Sequence, residues 1–325
     1  MFILLTAAQV LLIEPHTHFH HIFTFPRFAV VSGQEHKAFI PYSGTFSSAP
    51  NEASHAVVPA RVLSVQSRSL KLDREWQGSD EIQFDYLVVA TGTTLTPPAT
   101  TKHDEKLPSI MCLRKHQEQV KRANSILVVG GGAAGVQTAA DIKECYPDKQ
   151  VTLVHSRDRL MPKFDPKLHD IIKRRFDELG ISLITGARVV IPPGGFPSTN
   201  QTSFDVRITN APTVSAEFVI LATGQQPNNL LVANLGSSSS GQSIINPKNG
   251  FIRVRPTLQL ADSMYDHLFA VGDIADTGLH KAARPGVAQA RVAAQNILAL
   301  LEGRLPGEEF PVLPPAIHIT LGMVL

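Results

Sequence analysis

The feature that most constrains the fold is a glycine-rich loop, GGGAAG, at residues 130–135. It follows an apolar run at residues 126–129 and opens a helical stretch to about Cys145, after which a second apolar run begins at Val151. Strand, loop, helix and strand in this order form a βαβ unit, the context in which G-x-G-x-x-G indicates dinucleotide binding. A purely structural glycine-rich turn is the alternative.

The three glycines of this pattern have separate expected roles. Gly130 makes the tight turn, Gly132 lets the backbone approach a pyrophosphate, and Gly135 lets helix and strand pack closely. The N–H groups at the helix N-terminus then face the pyrophosphate charge. We therefore predict that a dinucleotide binds at this loop.

The residue that contacts the nucleotide ribose is expected about 20 residues after the last glycine, at the end of the next strand. That position is His155, followed by Ser156 and Arg157. No carboxylate is present there to hold the two ribose hydroxyls of NAD, whereas an arginine can pair with a 2′-phosphate. We therefore expect NADPH to be accepted at least as well as NADH. A solvated surface role for Arg157 stays open.

Other polar or glycine-containing segments also follow apolar runs. Glu14 occupies the ribose-binding position of a first βαβ unit, with an ordinary carboxylate after a strand as the alternative. Asp273, directly after Gly272, can accept a hydrogen bond from a flavin ribityl hydroxyl, or else cap a turn. The two remaining strand-end segments are Ala90-Thr91-Gly92 and Ala222-Thr223-Gly224.

Composition excludes several classes of function. The chain has 325 residues, which suits two domains, and its net charge of +2 gives no electrostatic footprint for a nucleic acid partner. Cys112 and Cys145 match no metal or redox spacing. The histidines among residues 16–21 are candidate zinc or copper ligands, but no cysteine or acidic cluster of matching spacing accompanies them. We therefore predict no metal site.

The order of the motifs predicts an α/β protein with two nested Rossmann-like dinucleotide-binding domains. One domain comprises residues 1–107 and 243–325, and the other, residues 108–242, is inserted into it. Helices are predicted at residues 166–179 and 287–301. The alternative of two domains side by side leaves Gly272 and Asp273 without a partner site.

Together these segments resemble the pyridine nucleotide–disulfide oxidoreductase fold. Within it they are most similar to the apoptosis-inducing-factor-like flavoproteins, a branch that includes ferroptosis suppressor protein and its fungal relatives. The resemblance covers nearly the whole chain. The matching segments are IEP at 13–15, FHH at 19–21, AFIPYS at 38–43, FDYLVVATG at 84–92, VTLVHS at 151–156, ATGQQPN at 222–228 and AVGD at 270–273.

The resemblance implies FAD in the outer domain, NAD(P)H in the inserted one, and hydride transfer between them followed by electron transfer to a quinone or another small acceptor. The flavin does this chemistry, so no catalytic side chain is assigned firmly, and Lys281 and Gln289 are the candidates. No cysteine pair stands where disulfide reductases of this fold carry theirs, which excludes a dithiol relay. The implied binding residues are Glu14, Ala90, Thr91, Gly92, Gly272 and Asp273 for FAD, and Gly130, Gly132, Gly135, His155, Arg157, Thr223 and Gly224 for NAD(P)H.

The chain departs from the family pattern at both ends. Relatives have a strand, a glycine loop and a helix before the strand that ends at Glu14, but here only residues 1–9 precede that strand, and they contain no glycine. A parallel crossover needs about a dozen residues or more. The last residues, 317–325, form an apolar, strand-like run with no covering element. We therefore expect a truncated chain in which the first βα unit of the FAD domain is missing.

The predicted function is an FAD-dependent NAD(P)H oxidoreductase with a quinone-like acceptor. The alternative is a non-catalytic NAD(P)H-binding fragment that no longer retains FAD. A DNA-binding death effector, a third class, is disfavoured by the near-neutral charge. The expected location is the cytoplasm. Membrane or mitochondrial association of a full-length form, peripheral membrane contact and the oligomeric state stay open.

Overall fold

The computed structural model describes residues 8–197, 202–237, 243–311 and 314–323. These residues form two compact, discontinuous units. The first unit comprises the residues up to Pro15, Tyr42–Thr94 and Gln225–Pro314, and the second comprises His16–Pro41, Leu95–Gly224 and the residues from Pro315 onward.

Most strands of the two units are short. The strands are β1 Leu11–Ile13, β2 His18–His20, β3 Phe39–Pro41, β4 Ala56–Val58, β5 Val62–Val65, β6 Ser69–Trp76, β7 Ser79–Gln83, β8 Leu87–Val89, β9 Thr93–Thr94, β10 Ser125–Val129, β11 Gln150–Val154, β12 Ser182–Ile184, β13 Arg188–Val189, β14 Phe204–Val206, β15 Ile208–Thr209, β16 Val214–Ala216, β17 Phe218–Leu221, β18 Gln226–Pro227, β19 Ile252–Arg253, β20 Leu268–Ala270 and β21 Ala275–Asp276. The helices are α1 Phe25–Phe28, α2 Lys106–Arg122, α3 Ala133–Cys145, α4 Pro166–Leu179 and α5 Ala283–Leu301. Of these α-helices in the described residues, α1 to α4 belong to the second unit and α5 to the first.

The second unit is built on a four-stranded parallel sheet in the order β12-β11-β10-β17. The four residues of β10 after Ser125 are all buried, as expected of a parallel strand covered on both faces. Helix α3 connects β10 to β11, so the predicted βαβ unit is confirmed. Val136, Ile142, Leu153 and Ile172 belong to the core that packs on this sheet.

Helix α4 shows how local sequence sets an element of this unit. The Asp165 side chain accepts a hydrogen bond of 2.9 Å from the Lys167 amide, and Pro166 stands in the first turn, where a missing N–H costs nothing. Gly180 ends the helix in the left-handed region at φ 68°. Its bounds are those predicted.

The first unit contains several small sheets. Strands β1 and β4 pair in parallel, as do β8 and β20, and β19 and β21. Strands β5, β6 and β7 form an antiparallel meander. Val58, Leu72, Ile252, Leu268 and Ile274 lie in the core between these strands. Helix α5 packs against a second cluster that includes Phe269.

The structure corrects three expectations. Helix α2 occupies most of a region that the sequence left without a helix, and α5 begins at Ala283 rather than at residue 287. No strand forms among residues 314–323, because Ile319 and Leu321 pack against the core of the second unit instead of pairing with another strand. The domain bounds 1–107 with 243–325, and 108–242, stay predictions; in the structure residues 16–41 and 95–107 cluster with the second unit.

The N-terminal prediction falls largely outside the described residues. The missing first βα unit was expected before β1, and residues 1–7 of that stretch are not described. Among the described residues, no helix is both long and apolar enough to cross a bilayer.

Candidate functional site

The glycine loop of the second unit connects the end of β10 to the start of α3. Gly130 lies in the left-handed region at φ 119°, and its amide donates a hydrogen bond of 2.8 Å to the carbonyl oxygen of Val154. A Cβ on Gly130 would overlap the carbonyl oxygen of Ala222, and one on Gly135 would overlap the carbonyl oxygen of Gly130. Both positions therefore require glycine, for the reasons expected from the sequence.

Gly132 differs from its neighbours because it is exposed, and a Cβ built there meets no atom within 4 Å. It directly precedes α3, whose first N–H groups have no partners within the helix. An open backbone face beside a helix N-terminus fits a pyrophosphate group. The cradle therefore suits the dinucleotide predicted for it.

The other predicted residues of the second unit lie at the same edge of the sheet. Strands β11 and β17 flank β10 in parallel, so His155 and the segment Thr223–Gly224 follow at neighbouring carboxyl ends. The His155 Nδ1 accepts a hydrogen bond of 3.1 Å from the Gly131 amide. Arg157 is exposed, and its carbonyl oxygen accepts a hydrogen bond of 3.0 Å from the Gly186 amide.

In the first unit, two predicted segments are brought together by the pairing of β8 with β20. The strands are parallel and in register, and the Val271 amide continues the ladder with a bond of 3.0 Å to the Val89 carbonyl oxygen. The carboxyl ends therefore present Ala90, Thr91 and Gly92 beside Gly272 and Asp273. A Cβ on Gly92 or on Gly272 would meet nothing within 4 Å, and both residues have positive φ. These backbones are open to a close-lying ligand.

Asp273 is half-buried at this edge. Burial raises the pKa of its carboxyl group above the ordinary value, and the charge of Lys281 opposes the shift. A carboxyl group there can accept a hydrogen bond from a ribityl hydroxyl. The site thus fits the flavin end of FAD.

Asn228 is a residue of this edge that sequence reasoning quoted but gave no role. Its side-chain amide donates a hydrogen bond of 2.8 Å to the Thr91 carbonyl oxygen. Its backbone carbonyl oxygen accepts a hydrogen bond of 2.7 Å from the Thr91 hydroxyl. Its backbone amide donates 3.1 Å to the Gly92 carbonyl oxygen. Asn228 therefore fixes the Thr91–Gly92 turn, and only the ATGQQPN segment pointed to it.

Glu14 follows β1 in the first unit, and its amide donates 3.0 Å to the Val58 carbonyl oxygen. The Tyr42 hydroxyl donates a hydrogen bond to the Glu14 carboxylate. Burial, followed by the charge of Glu14, raises the pKa of that hydroxyl. The carboxylate is thus oriented at the carboxyl end of a parallel strand, as a ribose contact requires.

The two candidate catalytic side chains have structural partners. The Lys281 ammonium donates to the Ala275 carbonyl oxygen and lies 4.1 Å from the centre of the Phe251 ring. Gln289 is buried, and its Oε1 accepts a hydrogen bond of 2.6 Å from the Gly272 amide. Gln289 therefore supports the Gly272–Asp273 turn from behind.

No group of histidine, cysteine or acidic side chains in the described part of the chain has the geometry of a metal site. Cys112 is exposed and Cys145 is half-buried, and both are free thiols.

Two strand edges of this construction, each with backbone open to a ligand and one with a glycine loop before a helix, define an α/β dinucleotide-binding protein. The model of the pyridine nucleotide-disulphide oxidoreductase family matches residues 7–296. The chain belongs to this family, and its cofactors are FAD and NAD(P)H. The family expected from the sequence is confirmed.

Three similar relatives have the following names and coverage. Fe-regulated protein 8 of Mycosarcoma maydis is 35% identical, over 97% of this chain and 80% of the relative. Ferroptosis suppressor protein 1 of Mus musculus is 30% identical, over 90% and 75%. FAD-dependent oxidoreductase FVFD30 of Flammulina velutipes is 29% identical, over 83% and 78%.

Solved structures share the fold at low sequence identity. A ferredoxin reductase from Rhodopseudomonas palustris has a TM-score of 0.69 at 19% identity, over 94% of this chain and 72% of that one. A NAD-dependent persulfide reductase from A. fulgidus has a TM-score of 0.67 at 21% identity, over 90% of this chain. This chain spans 55% of the length of the persulfide reductase.

Proposed function

We propose that this protein is an NAD(P)H:quinone oxidoreductase in which the second unit holds NAD(P)H and the first holds FAD. When bound, FAD would supply the redox chemistry, which is hydride acceptance from the nicotinamide and electron transfer to the acceptor. The observation that supports the proposal most strongly is the loop at Gly130–Gly135. The loop has three buried glycines that packing requires, Gly130, Gly131 and Gly135, and the exposed one, Gly132, leaves the backbone open at a helix N-terminus.

The second unit binds NAD(P)H through backbone groups. The amides at the start of α3 would donate to the pyrophosphate, and the open face of Gly132 would permit its approach. Thr223 and Gly224, at the end of the neighbouring strand β17, line the same edge. Arg157 is exposed after β11, where its guanidinium can reach a 2′-phosphate. No carboxylate competes for the ribose at positions 155–157.

The first unit binds FAD through turns that its own side chains hold in place. Asn228 fixes Thr91 and Gly92, and Gln289 fixes Gly272. Asp273 and Glu14 supply carboxyl groups for flavin and ribose hydroxyls. Helix α5 begins beside this turn, since a Cβ on Gly286 would lie 3.5 Å from the Gly272 Cα. The positive end of its dipole favours negative charge on a bound ring.

The positions of the two cysteines favour a mechanism in which electrons pass to the acceptor without a dithiol. Cys112 lies on α2 and Cys145 ends α3, and neither is paired. A dithiol relay needs two neighbouring cysteines, and the chain has two cysteines in all. Acceptors that take electrons straight from a flavin, such as quinones, are therefore favoured over disulfides.

The test is steady-state oxidation of NADPH by the FAD-loaded protein with a water-soluble short-chain quinone, compared with an aromatic disulfide and with oxygen alone. We expect quinone-dependent turnover well above the rate with either comparator. Turnover with the disulfide or with oxygen but not with quinones would refute the quinone assignment. Calorimetry that detects NADPH binding but no FAD binding would instead support a non-catalytic nucleotide-binding protein.

A further inference from the structure

Gly131, in the glycine loop, is held by hydrogen bonds at both its amide and its carbonyl oxygen. The Gly131 amide donates a hydrogen bond of 3.1 Å to Nδ1 of His155, and the Gly131 carbonyl oxygen accepts one of 3.0 Å from the Met161 amide. The segment after β11, residues 155–161, therefore binds the loop through one side-chain and one backbone hydrogen bond.

The segment and the loop also pack closely. A Cβ on Gly131 would overlap the Leu160 side chain and would lie 2.8 Å from Cγ of His155. The imidazole and Leu160 thus pack directly on the loop backbone, and this position requires glycine although the G-x-G-x-x-G pattern leaves it free. Hydrogen bonds also fix the backbone of His155. Its amide donates one of 2.8 Å to the Ile184 carbonyl oxygen, and its carbonyl oxygen accepts one of 3.2 Å from the Ala187 amide.

The bond to Gly131 requires a deprotonated Nδ1. A neutral imidazole can accept at one nitrogen while it carries its proton on the other, whereas an imidazolium ion has only donors. Protonation of His155 would place a donor against the Gly131 N–H and remove the bond. The surroundings oppose protonation at neutral pH, since burial lowers the pKa of His155 below its ordinary value.

The charged and titratable groups that face this ring come from two elements. On its own segment, the charge of Arg157 lowers the pKa of His155 further, and the backbone of Arg159 opposes the shift. On α4, His169 also lowers the pKa of His155 when it is charged, and its own Nδ1 accepts 3.1 Å from the Leu160 amide. His169 is therefore the neighbour whose effect must be separated from that of His155.

We propose that His155 is a positioning residue whose unprotonated Nδ1 holds the Gly131 amide, so that the loop keeps the shape that receives the pyrophosphate of NAD(P)H, and whose protonation releases the loop and weakens nucleotide binding. This role rests on the proposed NAD(P)H site of the second unit. It differs from the ribose contact that the sequence suggested for this position.

The test is calorimetry of NADH binding from mildly acidic to mildly alkaline pH. NADH is used because the 2′-phosphate of NADPH titrates in the same range. The wild-type protein should lose about tenfold in affinity as the ring protonates, the effect of about 1.4 kcal/mol for one backbone hydrogen bond. His155→Asn places an amide oxygen near the Nδ1 position and does not titrate, so it should bind as the wild type does at alkaline pH and show no pH step. His155→Ala should bind about tenfold more weakly at every pH.

The matched control is His169→Asn, which should keep the pH step. A step that persists in His155→Asn, or wild-type affinity in His155→Ala, would overturn the proposal. Hydrogen exchange of the Gly131 amide in the ligand-free protein gives a second readout that needs no nucleotide. Exchange should be faster in His155→Ala and restored in His155→Asn, and equal exchange in all three proteins would refute the loop-holding role. If the wild type binds no NADH while exchange behaves as expected, the proposed nucleotide site fails and the hydrogen bond stands.

Discussion

The amide nitrogen of Gly272 and the side-chain oxygen of Gln289 are joined by a hydrogen bond of 2.6 Å, although the two residues are 17 positions apart. The bond ties the turn after β20 to the first half of α5. Gln289 is only 3% exposed, so the bond is shielded from water. The turn that presents Asp273 is therefore held from inside the first unit.

Gln289→Leu should loosen FAD retention, because it leaves the Gly272 amide without its acceptor. An unsatisfied buried group costs about 1–3 kcal/mol, so both stability and flavin affinity should fall. The matched control is Gln259→Leu, since Gln259 is 2% exposed and its side chain donates 2.7 Å to the Asp266 carbonyl oxygen. Both variants should unfold at a lower urea concentration than the wild type. Only Gln289→Leu should release FAD faster than the wild type in a flavin-fluorescence assay. Equal FAD release by the two variants would contradict the assignment.

Gly132→Ala tests the open face of the loop without disturbing the fold. A Cβ there meets nothing in the protein but enters the space assigned to the pyrophosphate. We expect near-wild-type melting and about tenfold or greater loss of NADH affinity, measured by calorimetry. Gly194→Ala is the control, because a Cβ on Gly194 also meets nothing and Gly194 lies in a separate turn. Unchanged NADH binding in Gly132→Ala would place the nucleotide elsewhere.

Arg157→Ala should lower the preference for NADPH over NADH. A charge-assisted hydrogen bond to phosphate contributes about 1.5–3 kcal/mol, so the KM for NADPH should rise at least tenfold while that for NADH changes little. The exposed neighbour Arg159 provides the control in Arg159→Ala. If the ratio of the two kcat/KM values stays the same in Arg157→Ala, Arg157 is a surface residue and nothing more.

His116 makes stability depend on pH. It is buried in α2, with Nδ1 2.9 Å from the Ala29 carbonyl oxygen, and burial lowers its pKa from 6.5 to about 4. The folded protein therefore binds fewer protons than the unfolded chain between these values. The stability from this group is present above pH 6.5 and is lost as pH falls towards 4, by up to about 3 kcal/mol. In urea unfolding, the free energy of unfolding should fall less with decreasing pH in His116→Asn than in the wild type. In the exposed control His36→Asn it should fall as it does in the wild type. The same decline in all three proteins would contradict this role.

Elements with strong local signals were predictable from the sequence. The bounds of α4 follow from Asp165, Pro166 and Gly180, all of which act within one turn of the helix ends. The parallel order of β10, α3 and β11 follows from the glycine loop and the apolar runs on either side.

Other features, most of them set by tertiary contacts, were not predictable. Helix α2 contains Pro108 in its first turn. In the sequence a proline suggests a break in a helix, although in the first turn it costs no hydrogen bond. The C-terminal run has strand-like composition, but Ile319 and Leu321 pack on the second unit's core instead. The support given to Gly272 by Gln289, and to Gly131 by His155, depends on residues distant in sequence that no local pattern brings together.

The most direct measurement is an anaerobic titration of the FAD-loaded protein with NADPH, followed by visible absorbance. We expect stoichiometric loss of the oxidised flavin bands, restored on addition of a quinone, with NADPH binding abolished or strongly weakened in Gly132→Ala. FAD that stays oxidised while NADPH is bound, or a protein that takes up NADPH but no FAD, would contradict the assignment of an oxidoreductase with two nucleotide sites.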